Sequence, residues 1–333
     1  MEVIGELKKR IVAPSARIVF PEGNDEKIIQ SACRVVQEAI GWPILLGNEK
    51  RISDLAASMQ MDLKGIEVID PLSCQKLNQY MDAYCKEREC SEGAARLILS
   101  KPVYFGAMMV KVGDADTMVA GIITETEEVI MAGELMVGIK EGLSTPSSFF
   151  LMEIPGYEGE EGNTLIFADA GFNPDPTAEQ LADIALTTAE SARVLLGWEP
   201  RVAMLSFSTK GSAEHESVDK VIDALHIVLE REPDLCIDGE MQGDAAIVPE
   251  VARKKIQGGG PVGGRANILI FPDLNSANIS YKLVQRLTKG RAYGPFLQGF
   301  AKQITDLSRG ASVDDIVGVT IMSVVASAGV NAG

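Results

Sequence analysis

Short apolar runs alternate along this chain with longer stretches in which apolar residues return every three or four positions. The short runs predict strands at residues 17–20, 43–46, 66–69, 118–120, 164–167, 201–205, 235–238 and 268–271. Strands separated by helical stretches predict an α/β protein with a largely parallel sheet. The clearest helix is predicted over residues 177–196. Thr177 and Gln180 form a capping box, Leu181, Ile184, Ala185, Ala192 and Leu195 share one face, and Gly197 ends it. Two glycine-rich stretches interrupt the pattern. Residues 153–163, rich in Gly and Glu, predict an exposed loop near a domain boundary. Residues 258–264 contain a G-x-G-x-x-G match, which follows a helical segment (252–256) and precedes a strand. A dinucleotide fingerprint needs the strand first and the helix second, so this match predicts only a loop.

A chain of 333 residues, 46% apolar and 23% charged, is long enough for two globular domains. The net charge of −16 argues against a nucleic-acid partner and for a cytoplasmic protein. An anionic substrate would need a local basic site, and Lys210, Arg265, Lys282, Arg286 and Arg309 are the candidates. Residues 1–13 are amphipathic and lack the apolar core of a secretory signal. No apolar run reaches about 18 residues, so no membrane span is expected. The five cysteines are odd in number and lack paired metal spacing, which predicts reduced thiols. With His215 and His226 the only histidines, neither a Ser-His-Asp triad nor a His-rich metal site is expected. The chemistry then falls to carboxylates, hydroxyls, lysine or arginine.

Several polar loops follow presumed strands, where ligands sit in open α/β sheets. Ser308, Arg309 and Asp315 place a hydroxyl, a fixed positive charge and a carboxylate at the start of the last helix. Those are the groups that acyl transfer to or from phosphate needs. Ser312 and Asp315 also have capping-box spacing, so Asp315 can equally serve the helix. Arg309 near a helix N-terminus is electrostatically misplaced unless an anion binds there. Ser206, Ser208, Thr209, Lys210 and Gly211 follow the strand at 201–205 and offer groups for phosphate oxygens. Asn173 lies in a Pro-rich turn ahead of Thr177. Asp238, Glu240 and Asp244 follow another strand, with Asp244 a candidate N-cap. Asn275 and Asn278 flank a strand-to-helix turn.

Longer segments carry a resemblance: Ile18-Val19-Phe20-Pro21-Glu22-Gly23, Tyr104 to Val110, Ser148 to Met152, Asn173 to Ala178, Ser206 to Ala213, Val248 to Ala252, Gly264 to Asn275 and Leu307 to Asp315. Together they resemble the phosphate acetyl/butyryltransferase family over nearly the whole chain. The resemblance implies an isocitrate/isopropylmalate dehydrogenase-like fold: parallel-rich sheets flanked by helices, with the active site in the cleft between two α/β domains. It implies a first domain of residues 1–145 plus 295–333 and a second, inserted, of residues 146–294. The implied reaction joins acetyl-CoA and phosphate to give acetyl phosphate and CoA, in a homodimer, without metal or cofactor beyond CoA as substrate. In it Asp315 takes the thiol proton, Arg309 binds phosphate and steadies the charged transition state, and Ser308 hydrogen-bonds at the same centre. Arg265 would be a further substrate contact. The sequence departs from the family pattern where two arginines are common, at Cys85 and Met131, and Ala311 replaces a common cysteine. Arg88, one helical turn from Cys85, is a substitute substrate contact. Glu125, Glu127 and Glu128 add negative charge beside Met131. Alternatives are a larger acyl group such as butyryl, a dehydrogenase on the same fold, and a weakly active CoA-binding regulatory protein.

Overall fold

Two sheets organise the chain. A computed structural model describes residues 2–11, 14 and 16–330; Met1, Val12, Ala13, Ser15 and residues 331–333 lie outside it, and with them part of the amphipathic segment 1–13. The elements run α1 (Glu2–Lys9), β1 (Arg17–Phe20), α2 (Glu26–Gln37), β2 (Trp42–Leu46), α3 (Glu49–Ser58), β3 (Glu67–Ile69), α4 (Leu77–Arg88), α5 (Glu92–Leu99), α6 (Pro102–Val112), β4 (Thr117–Ala120) and α7 (Thr126–Ala132). A π-helical turn, Gly133–Val137, extends α7. Then come β5 (Ser147–Glu153), β6 (Thr164–Ala168), α8 (Ala178–Ser191) with a π-helical turn Ala192–Leu196, β7 (Val202–Leu205), α9 (Glu216–Arg231) and β8 (Ile237–Met241). The remainder is α10 (Gly243–Ile247), α11 (Pro249–Lys255), β9 (Ile268–Ile270), α12 (Leu274–Thr288), β10 (Arg291–Gln298), β11 (Ile304–Asp306) and α13 (Val313–Val330).

The first compact unit joins residues 1–141 to 300–333. Its sheet has the order β11-β4-β1-β2-β3, and every pairing is parallel. Strands covered on both faces carry continuous apolar runs, as β1 and β4 do. α13 packs against α1, α2 and β4, and each residue from 316 to 327 is buried. A helix enclosed on all sides is apolar all round. Its hydroxyls are satisfied within it: Thr320 donates to the Ile316 carbonyl at 2.7 Å and Ser323 to that of Val319 at 2.9 Å.

The second unit spans residues 142–299. Its sheet has the order β10-β5-β6-β9-β7-β8, parallel from β6 to β8, with β5 antiparallel to both β6 and β10. The capping box of α8 is present: Gln180 N–H reaches Thr177 Oγ1 at 3.3 Å, and Thr177 N–H reaches Gln180 Oε1 at 3.0 Å. The boundary expected at 294/295 would cut β10, whose hydrogen bonds to β5 keep residues up to 299 in this unit. Residues 153–163 mark no boundary; they connect β5 to β6 inside the unit.

Three strands escape the sequence pattern, for physical reasons. β5 opens on Ser147 and Ser148, which read as a continuation of the polar loop Ser144-Thr145-Pro146. β10 contains Gly294-Pro295, and proline is tolerated there because the strand lies at the sheet edge with a register shift between Tyr293 and Phe296. β11 is three residues long, two of them polar. β8 runs to Met241, not 238, so Asp238, Gly239 and Glu240 are strand residues and not loop. α10 begins after Gln242, so Asp244 lies in its first turn and is not its N-cap.

Candidate active site

In the first unit the carboxyl ends of β11, β4 and β1 lie side by side, because those strands are parallel neighbours. The loops leaving them meet in a hydrogen-bonded set. From β1, the half-turn before α2 presents Glu22, which is 7% exposed. Its carboxylate accepts four backbone N–H bonds from the loop after β4: Gly121 (3.0 Å), Ile122 (2.9 Å), Ile123 (2.8 Å) and Thr124 (2.6 Å). A loop whose N–H groups converge in this way needs an anion at their centre, and Glu22 supplies it. From β11, Asp306 accepts the Thr126 hydroxyl at 2.6 Å through Oδ2, while its buried Oδ1 has no hydrogen-bond partner. Burial pushes the Asp306 carboxyl up to about 7. The Thr126 hydroxyl, the Leu307 N–H and the Arg309 charge oppose that shift, and the Glu22 charge adds to it.

Ser308, Arg309 and Asp315 follow at once. The Ala311 N–H closes a turn onto the Ser308 carbonyl at 2.8 Å, and Lys27 of α2 donates to the Ala311 carbonyl at 2.8 Å. This turn leaves Ser308 and Arg309 exposed. Arg309 makes no hydrogen bond or ion pair with any described residue, so its guanidinium is available to an anion. Asp315 completes the capping box of α13. Its Oδ2 accepts the Ser312 N–H at 2.9 Å and the Ser312 hydroxyl at 2.7 Å, and its own N–H reaches Ser312 Oγ at 3.2 Å. The helix-cap role is therefore realised, and both side-chain bonds fall on one oxygen.

Arg88 ends α4. Its guanidinium donates to the carbonyls of Glu134 and Leu135, both at 3.1 Å, at the π-helical turn after α7. Of the acidic residues beside Met131, Glu128 is ion-paired at 2.8 Å with Lys101, which precedes α6.

In the second unit the same edge rule gathers the loops after β6, β9, β7 and β8. The loop of Ser206 to Ser212 is tied to β8. Ser208 donates to Glu240 Oε1 at 2.7 Å, Gly211 N–H reaches the same oxygen at 2.8 Å, and Lys210 Nζ pairs with Asp238 and donates to the Gly239 carbonyl at 2.6 Å. Thr209 Oγ1 accepts the Gln242 N–H at 3.0 Å, and Ser206 Oγ accepts the Ser208 N–H at 3.2 Å. Lys210 is thus not a free cation awaiting phosphate; its charge is spent on a buried carboxylate. Gly211 has φ 78, a conformation that favours glycine.

Asn173 is buried and saturated. It bonds Asp169 through side chain (2.6 Å) and backbone (3.0 Å), donates to the Pro146 carbonyl at 3.0 Å and accepts from Thr145 at 3.0 Å. It holds the loop after β6 in shape. Burial pushes the Asp169 carboxyl up against those bonds and the Ser148 hydroxyl. Asn275 and Asn278 lie within α12, capped by Asp273, and so both fall after the strand-to-helix turn that the sequence predicts them to flank; Asn275 is exposed and Asn278 donates to the Ala170 carbonyl at 3.2 Å. Arg265 parts from the set. It precedes β9 and so lies at the opposite end of the strand, donating to the Pro261 carbonyl at 2.8 Å.

Sequence reasoning missed Glu22, Thr126, Asp306 and Lys27 as site residues. Glu22 follows a recognised strand, so the strand-end rule would have found it. Asp306 and Thr126 required β11. Among the described residues, no group of three or more His, Cys, Asp or Glu side chains is placed to hold a metal ion. No described helix is long and apolar enough to cross a membrane.

Two α/β units with parallel-rich sheets and polar loops at their strand carboxyl ends define the dehydrogenase-like class of fold. A 4-hydroxythreonine-4-phosphate dehydrogenase from Burkholderia phymatum shares that fold, with a TM-score of 0.53 and 13% identity over 95% of this chain and 98% of its own. The chain belongs to the phosphate acetyl/butaryl transferase family, whose model matches residues 2–324. A phosphate acetyltransferase of Acetivibrio thermocellus is 43% identical over 98% of each chain. A phosphotransacetylase structure from Streptococcus pyogenes superimposes with a TM-score of 0.92 at 39% identity, over 98% of each chain.

Proposed function

We propose that this chain is a phosphate acetyltransferase, moving an acetyl group reversibly between the sulfur of CoA and inorganic phosphate. One observation carries the reading: Arg309 stands exposed, with no hydrogen bond or ion pair to a described residue, on the turn that leads from β11 at the carboxyl edge of a parallel sheet to the Asp315 cap of α13, beside the exposed Ser308. Full-length relatives that carry this activity in their names support it.

In the proposed reaction Asp315 accepts the proton of the CoA thiol. The thiolate attacks the acetyl phosphate carbonyl, the bond from that carbon to the phosphate oxygen breaks, and phosphate departs with its bonding pair. Arg309 binds the phosphate and stabilises charge on the transition state, and Ser308 donates a hydrogen bond there. The reverse direction uses the same groups. Purified protein mixed with acetyl-CoA and phosphate should release free CoA thiol only when both are present. No phosphate-dependent release would overturn the reading. Repeating the assay with butyryl-CoA tests the larger acyl group, which exposed Ile123 and Met131 on the segment after β4 favour.

The working form is proposed to be a cytoplasmic homodimer. α12 supports the dimer: Ile279, Leu283 and Leu287, spaced i, i+4, i+8, are 57%, 54% and 81% exposed, an apolar stripe that the described residues of its own unit leave open. Sedimentation of the purified chain tests it. The five free cysteines support the reducing compartment.

A further inference from the structure

The connection between α4 and α5 holds two thiols that the acetyl-transfer reading does not use. α4 ends at Arg88, Glu89 turns left-handed with φ 50, and the Ser91 hydroxyl caps α5. This tight reversal brings Cys85 Sγ to 3.1 Å from Cys90 Sγ. Both cysteines are half-buried and so open to small molecules in solution. A disulfide needs its sulfurs about 2.05 Å apart, so closure asks for a shift of roughly 1 Å. Two of the other three thiols are placed differently: Cys33 is buried and directed at the Asp62 carbonyl, and Cys236 is directed at the Pro261 carbonyl.

We propose that Cys85 and Cys90 are a modification site: a dithiol that closes reversibly to a disulfide by exchange with a small-molecule disulfide. The hydrogen bond to Cys90 leads the causes that hold the Cys85 thiol up at about 11, so Cys85 is the partner that keeps its proton. Cys90 gives its proton to solvent and its sulfur attacks one sulfur of the small disulfide, whose S–S bond breaks. The first thiolate leaves and takes a proton from solvent. Cys85 then attacks Cys90 Sγ in the mixed disulfide, gives up its proton, and expels the second thiolate, which takes one up. Two protein thiols are oxidised and one small disulfide is reduced to two thiols. The ring so formed encloses Arg88, whose guanidinium holds the Glu134 and Leu135 carbonyls.

The test uses the full chain treated with glutathione disulfide, then freed of excess reagent and alkylated. Trypsin cuts after Lys86 and Arg88, between the two cysteines, so the disulfide appears as two peptides that travel joined and part on reduction. The expected result is that joined pair, in protein that still runs as a single chain on a non-reducing denaturing gel. Cys85→Ser and Cys90→Ser should each lose the joined pair and carry glutathione on the remaining cysteine. The proposal is overturned if the two peptides travel apart after oxidation, if the link joins two chains, or if either variant still forms it.

Discussion

Arg309 makes no hydrogen bond or ion pair with a described residue and acts on the fold only through its charge on Asp306, so Arg309→Ala should change the melting temperature little while turnover falls about 10²–10³-fold, the usual loss on removing a preorganised charge donor. Phosphate-dependent CoA release measures the one and thermal unfolding the other. Asp315→Asn separates its two roles. Asparagine still accepts the Ser312 N–H and hydroxyl through its amide oxygen, so α13 should stay capped, but it cannot take a thiol proton. A base role predicts a large fall in turnover with little change in melting; equal turnover at neutral pH rejects it. Asp306 makes a pH prediction. Its folded value of about 7 exceeds the ordinary ~3.9, so the folded chain holds an extra proton between those values. Its contribution to stability is complete below about pH 4 and is lost as pH rises through about 7. Asp306→Asn keeps an acceptor for Thr126 and removes the titration. Its melting temperature should therefore fall less than wild type's between pH 5 and pH 8. At this scale the sequence pointed to Ser308, Arg309 and Asp315 because they fall within eight residues at a helix start, with their roles implied by the resemblance. It did not reveal that Lys210 and Asn173 have buried partners, Asp238 and Asp169, which are set by tertiary burial that no local pattern carries.

Elements place those residues through the ends of strands, and the tightest joint is at the end of β4. Gly121 has φ 114, and a Cβ there would sit 2.1 Å from Asp306 Oδ1 and 2.7 Å from the Leu307 backbone nitrogen. Gly121→Ala should cost about 1–3 kcal/mol in backbone strain alone, and more once Asp306 is displaced. It should also loosen the four N–H bonds to Glu22. Denaturant unfolding measures the loss, and a variant as stable as wild type would show that the loop has another way to lie. The strands of both sheet centres were legible because burial on two faces demands unbroken apolar runs. β10 was not, since its Gly294-Pro295 reads as a turn and only edge placement allows it. β11 was not, since Thr305 and Asp306 look like loop until Thr305 meets the Ser323 hydroxyl at 2.7 Å on α13.

For the whole molecule, the division into units fixes what a fragment can do. Residues 142–299 contain every strand of their sheet, so this piece expressed alone should unfold cooperatively. Residues 1–141 lack β11 and α13, and would expose the faces of β4 and α2 that α13 covers. They should bind hydrophobic dyes and aggregate. Circular dichroism and dye fluorescence on the two fragments check both outcomes; a well-folded 1–141 fragment would contradict the packing of α13. The same discontinuity bears on synthesis. A ribosome delivers residues in order, so the inserted unit is fully exposed to folding before the first unit has its edge strand or its central helix. Ser308, Arg309 and Asp315 ride on that final stretch. A nascent chain therefore cannot complete the first unit until residues 300–330 have been made, and a product cut before β11 and α13 is an incomplete fold.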